Sequence, residues 1–165
     1  MAESALTRIG NVAKMATIGA IKTAGDVAEA VVEATRDVVY TALQGATDVT
    51  VAAEESIAKV LRGAIHAAKD VGADVGTTAE SAVRGAVEAA HETGADVGKA
   101  AVAAVRGSVE AAEQIGADTG KALKHAVTGA VKAAEEISQE TAKAVRDVLS
   151  TSIKGAKDIL KAPLE

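Results

Sequence analysis

The stretch Val71-Gly72-Ala73-Asp74-Val75-Gly76 decides how this sequence of 165 residues is interpreted. It returns as TGADVG at 93–98 and as IGADTG at 115–120, a step of 22 residues each time (93 − 71 and 115 − 93). A second marker, Arg62-Gly63-Ala64, keeps the same step, because its glycine recurs at positions 85, 107 and 129. No insertion or deletion interrupts the register between residues 18 and 161. Because insertions gather in loops, this regularity predicts an unbroken helical repeat.

The apolar residues of one repeat predict how the helix packs. They step by three, four, four and three residues along Ala68, Val71, Val75, Ala79 and Ala82, which is the 4-3-4 spacing of an 11-residue unit entered at its three-residue step. Three turns in eleven residues give about 3.67 residues per turn, and such a repeat faces a partner by winding right-handed. We therefore expect an all-α fold: a long, near-continuous amphipathic helix with 22-residue (2 × 11) repeats, packed as a right-handed, close-packed coiled coil or helical bundle.

The alternative is a helical hairpin, whose turn we expect at residues 44–50 or 76–78. In either case the sequence divides into three parts. These are an N-terminal helical or frayed segment at 1–17, the repeat helix at 18–161 and a C-terminal tail at 162–165.

Composition excludes several classes of protein. Hydrophobic residues make up 48% of the chain but aromatic residues only 1%, a single Tyr40, so each apolar side chain buries little area and we expect no sizeable globular core. The net charge of −5 argues against nucleic-acid binding, which requires a basic surface. No apolar window is long enough for a membrane span. The first residues do not resemble a signal peptide, and we expect a cytoplasmic protein.

The fifteen glycines indicate close helix packing, because each glycine costs a helix about 1 kcal/mol relative to alanine. Pairs such as Gly72 with Gly76 have the GxxxG spacing that lets helix backbones approach. We expect the helix–helix interface to consist of the apolar and glycine positions of the repeat. They are Ala64, Ile65, Ala68, Val71, Gly72, Val75, Gly76, Ala79, Ala82, Val83, Ala86, Val87, Ala90, Gly94, Val97, Gly98, Ala101, Ala104, Val105, Ala112, Ile115, Gly116, Gly120, Leu123, Val127, Ala134 and Ile137.

No group of residues indicates catalysis, a cofactor or a metal. The three histidines, His66, His91 and His125, are separated by 25 and 34 residues, whereas helical zinc sites place two histidines four residues apart. Asp74 and Asp96 would lie about 33 Å apart along a helix. There is no cysteine. We therefore expect that the protein is not an enzyme.

The 4-3-4 spacing of small apolar residues resembles that of hendecad-repeat, right-handed coiled-coil proteins. That resemblance implies extended helical bundles with structural roles. The chain is also loosely similar to synucleins, phasins and late embryogenesis abundant proteins, which share low aromatic content and repeated helical sequence, although the KTKEGV core of synucleins is absent.

Two functions follow from these patterns. The first is a structural self-assembly protein, homo-oligomeric or filamentous, whose Gly/Ala/Val face contacts copies of itself with three or more helices in each bundle. The alternative is an amphipathic protein that coats a lipid or granule surface. The net negative charge and the small apolar residues favour self-assembly, because surface-bound helices usually carry basic and large apolar side chains.

Overall fold

The computed structural model describes residues 2–23, 25–44 and 51–161, with the backbone alone at 2–6 and 51. Within these ranges the chain forms eight α-helices and no strand. The helices are α1 (Ala2–Thr23), α2 (Val27–Leu43), α3 (Val51–Val71), α4 (Val75–Thr93), α5 (Val97–Gln114), α6 (Thr119–Ile137), α7 (Gln139–Ser152) and α8 (Ala156–Lys161).

Each Gly-Ala-Asp triplet is a turn between two helices. Gly72 has a φ of +73°, the left-handed conformation that glycine adopts without steric cost. The N–H of Ala73 donates to the carbonyl of Ala68 at 2.8 Å, and the N–H of Gly72 donates to Lys69 at 3.2 Å. These two bonds satisfy carbonyls at the end of α3. Two residues after the glycine, an aspartate immediately precedes the first residue of the next helix.

That aspartate is an N-cap. Asp74 accepts a hydrogen bond from the N–H of Thr77 at 2.8 Å, while Asp96 and Asp118 accept equivalent bonds at the start of α5 and α6. The glycines before them repeat the left-handed conformation, with φ of +77° at Gly94 and +73° at Gly116. One three-residue turn therefore occurs three times, at the 22-residue step of the sequence.

The expectation of one long continuous coiled coil is thus wrong. A turn that occupies the same three positions in three successive units leaves the period unchanged, which is why the register gave no sign of a break. Of the two turns expected for a hairpin, residues 76–78 lie in the first turn of α4. Only residue 44 of the other, 44–50, is among the described residues, and the tail at 162–165 lies outside them.

The helices form two layers. Each helix from α1 to α6 packs most extensively on a helix two places away along the chain, and α7 and α8 also contact α5 and α6, so α1, α3, α5 and α7 form one layer and α2, α4, α6 and α8 the other. Between α4 and α6, the side-chain pairs are Asp74 with Lys121, Glu80 with His125 and Arg84 with Glu136. Residue numbers rise together along both helices, so helices within a layer are parallel and consecutive helices are antiparallel. Stacked helical hairpins of this kind are typical of α-helical solenoids.

The core lies between the two layers and consists mainly of alanine and valine. Its largest fully buried side chains include Leu43, Ile57, Leu61, Ile65 and Leu149. We expected no sizeable core, because small side chains each bury little area. The core forms nevertheless, since small side chains allow the helices to pack closely and so bury many residues at once.

Candidate functional site

Most of the predicted interface residues pack inside the chain. Buried are Ala64, Ile65, Ala68, Gly76, Ala79, Ala82, Val83, Ala86, Val87, Ala90, Ala101, Ala104, Val105, Ala112, Val127 and Ala134. Half-buried are Val71, Val75, Val97, Gly98, Ile115, Leu123 and Ile137, and exposed are Gly72, Gly94, Gly116 and Gly120. The wide apolar arc that predicted three or more chains is therefore covered by helices of the same chain.

The closest helix contacts are made by the repeat-marker glycines, which are not among the predicted interface residues. A Cβ atom at Gly85 would lie 2.9 Å from the backbone nitrogen of Arg36, and one at Gly107 would lie 2.7 Å from the carbonyl oxygen of Ala58. Gly63 and Gly129 meet the backbones of α1 and α4 in the same way. Glycine is required at these four positions because only hydrogen fits between the helices. We call them the packing glycines.

In α4, α5 and α6, the packing glycine lies at the same distance from the N-cap of its helix. Gly85 follows its N-cap Asp74 by eleven residues (85 − 74), and Gly107 follows Asp96 by the same distance (107 − 96). Gly129 also lies eleven residues after its cap (129 − 118). The signal that could have found them is the regular glycine at 63, 85, 107 and 129, combined with their position in the middle of each helix.

A basic residue precedes three of the four packing glycines, as Arg62 precedes Gly63. Basic residues at this place form ion pairs between parallel helices of one layer. The ion pairs are Lys14 with Asp70 (2.7 Å), Arg36 with Glu88 (3.7 Å), Arg62 with Glu110, and Arg84 with Glu136 (2.9 Å). Each pair is partly exposed, so it stabilises the fold by at most about 1 kcal/mol. The four basic residues of these pairs occupy equivalent positions in α1, α2, α3 and α4.

The first hairpin, α1 and α2, breaks the glycine rule. Lys14 is followed by Met15 where Arg62 is followed by Gly63, and the residue eleven places after the N-cap Asp26 is Asp37. These two side chains point away from the stack: Met15 is 67% exposed and the side chain of Asp37 is 78% exposed. This position therefore has no glycine in α1 and α2, against whose outward side no other described helix packs.

The outward surface of this hairpin contains an apolar cavity. A cavity of about 500 Å³ opens between α1 and α2, lined mainly by hydrophobic atoms. Its lining residues are Arg8, Ile9, Val12, Asp37, Val38, Thr41 and Ala42. Val12 is 56% exposed, and Val27 and Met15 are also exposed. We call this surface, formed by the outward residues of α1 and α2, the open face.

Charges of opposite sign stand on the two sides of the cavity in the open face. Arg8 belongs to α1 and Asp37 to α2, and both line the cavity. They therefore lie at about the same level along the two antiparallel helices. Two such surfaces can face each other so that the cation of each lies opposite the anion of the other.

The other end of the stack is polar. The exposed positions of α7 are chiefly Gln139, Glu140, Lys143, Asp147 and Thr151. Solenoid proteins require terminal units with a polar outer face, since an end repeat has no neighbour to cover it. The C-terminal end meets this requirement and the open face does not.

Among the described residues, three carboxyl groups have shifted pKa values, and each shift has a structural cause. Hydrogen bonds from Thr77 lower the pKa of Asp74, and the hydrogen bond from Lys14 lowers the pKa of Asp70. Burial raises the pKa of Glu88 despite its partner Arg36. All three groups serve the packing of helices.

Among the described residues, no histidines and carboxylates come together in a group that could hold a metal ion. His125 lies over Gly76, where a Cβ would be 2.6 Å from the imidazole ring, and its Nδ1 is 3.3 Å from Glu80. His66 is 3.3 Å from Gln114. The described helices include none with the length and apolar content needed to cross a membrane. Comparison with known protein families finds no match, and neither does comparison with curated proteins.

Proposed function

We propose that this chain is a structural protein that assembles with copies of itself, and that copies meet at the open face of the first hairpin. One observation carries the proposal: a cavity of about 500 Å³ with mainly apolar walls is open to solvent, with Val12 and Met15 exposed beside it. An exposed apolar surface at the end of a stack typically marks an interaction site. The proposed location of this protein is the cytoplasm.

The size of the open face suits a dimer. The 17 residues of α2 extend about 26 Å, and two packed helices are about 20 Å wide. A face of about 500 Å² on each copy buries about 1,000 Å² in total, near the lower limit for a specific interface. Self-association at this face is therefore expected at moderate protein concentration rather than as a permanent complex.

A lipid or granule surface is the competing occupant of the open face. A coat helix would use its basic residues to attract an anionic surface. Of the basic residues of α1, Lys14 is already paired with Asp70 inside the stack, and the chain as a whole has a net charge of −5. A second copy suits this surface better, because the apolar area requires a partner and the net charge does not favour an anionic membrane.

Sedimentation equilibrium over a concentration series tests the proposal. The wild-type chain is expected to approach twice its mass of 16.4 kDa, and Val12→Asp on the open face is expected to stay monomeric. Ala144→Asp on the outer surface of α7 is the matched control and should associate like the wild type. A wild-type monomer at every concentration overturns the proposal, and a monomer that binds vesicles of neutral or anionic lipid supports the coat function instead.

A further inference from the structure

The two helices of the open face carry opposite charges. In α1, Arg8 lines the cavity of the open face, whereas Lys14 is paired with Asp70 of α3 inside the stack. In α2, Asp37 lines the other side of the cavity, whereas Arg36 contacts Glu88 of α4. The first helix therefore presents a cation at the cavity and the second an anion, which makes the open face complementary to itself when α1 of one copy lies on α2 of another.

Resting on the proposed self-association, we infer that two copies form a closed dimer whose two-fold axis runs parallel to the helices of the open face. Such an axis exchanges left and right but keeps the level along the helices. Arg8 and Asp37 line the same cavity on its two sides, so the axis places Arg8 of the partner subunit opposite Asp37. The alternative axis, perpendicular to the helices, stacks α1 on α1 and brings like charges together.

The same surface explains why the assembly closes. Inside the stack, helices approach through packing glycines, with backbone atoms within 3 Å of where a Cβ would stand. In the open face, Met15 and Asp37 occupy the corresponding positions, so no further hairpin stacks there by the interior geometry. The polar outer side of α7 offers no complementary apolar surface for head-to-tail contact. An isologous pair uses the open face of both copies and leaves no free end for growth.

Charge reversal on two separate copies tests this arrangement. The variants are Arg8→Glu and Asp37→Lys, each studied alone and in an equimolar mixture. When α1 lies on α2 of the partner, each variant alone faces like charges twice, and its dimer dissociation constant is expected to rise by about tenfold or more. In the mixture, both contacts join opposite charges, so dimers should form again at the wild-type concentration.

The controls separate this inference from the proposed function. Lys157→Glu and Asp158→Lys, exposed on α8 at the other end of the stack, change the net charge identically and should leave the dimer unaffected. Circular dichroism checks that each variant folds. If the wild type dimerises but the separate variants associate as well as it does, α1 does not lie on α2 and the inference is wrong. If the wild type grows beyond a dimer, closure is wrong. If the wild type is monomeric, the proposed function itself fails.

Discussion

The interior hairpins and the first hairpin share one pattern and differ at a single kind of position. In the interior, glycine follows the basic residue of the repeat, as in Arg62-Gly63 and Arg84-Gly85, and another helix lies against that glycine. In the first hairpin that residue is Met15 or Asp37, and it faces solvent. The comparison of α3–α6 with the first hairpin teaches that glycine stands where the backbone of another helix lies within 3 Å of the Cβ position, and a larger side chain stands where that position faces solvent.

The strongest test of this difference is to place alanine at both kinds of position and compare the effects on stability. Gly85→Ala puts a Cβ 2.9 Å from a backbone nitrogen of α2, so two helices must move apart. Overpacking of this kind costs about 1–3 kcal/mol of unfolding free energy even though alanine favours the helix. Asp37→Ala, at the equivalent place in α2, should change the unfolding free energy by less than about 0.5 kcal/mol. Urea unfolding of both variants measures the two values, and equal effects would show that the positions are not different.

The turn glycines should be sensitive for a separate reason. Nothing lies within 4 Å of a Cβ at Gly94, so a side chain fits there, but its φ of +77° is unfavourable for alanine. Gly94→Ala should lower the unfolding free energy by about 1–2 kcal/mol. Gly94→Asn should cost less, because asparagine tolerates the left-handed conformation. An alanine variant as stable as the asparagine variant would contradict the turn geometry.

The smallest expected effect is a change in pH dependence at an interior turn. The folded-state pKa of Asp74 is lowered, so its carboxylate adds stability at neutral pH that is lost as the pH falls through that lowered pKa. Asp74→Asn keeps an N-cap of similar strength and should have nearly wild-type stability at pH 7. Thermal unfolding followed from pH 7 down to pH 2 should fall less steeply in the variant. An unchanged slope would mean that the cap does not contribute to acid unfolding.

The sequence predicted the helical content, the 22-residue step and most of the buried face, because amphipathic periodicity reports which residues avoid water. It did not predict the turns. Gly72 and Asp74 are favoured helix-ending and helix-starting residues, yet a turn of constant length keeps the apolar columns in register, so period alone cannot distinguish a rod from a series of hairpins.

The open face was beyond sequence analysis for a different reason. Met15 and Val12 fit the same apolar pattern as buried residues, and their exposure depends on which helices stack beside them. The packing glycines were visible as a repeat marker, but their role depends on the backbone of a helix about 49 residues earlier, as with Gly107 and Ala58 (107 − 58). Contacts between distant segments are a property of the fold.

Cysteine crosslinking tests most directly whether copies meet at the open face, because the chain contains no cysteine of its own. Val12→Cys in the open face and Ala144→Cys on the outer side of α7 would be treated with a short bifunctional maleimide. A monofunctional maleimide confirms that both thiols react equally. We expect covalent dimers from Val12→Cys and monomers from Ala144→Cys. Monomers from both variants, or dimers only from Ala144→Cys, would contradict assembly through the first hairpin.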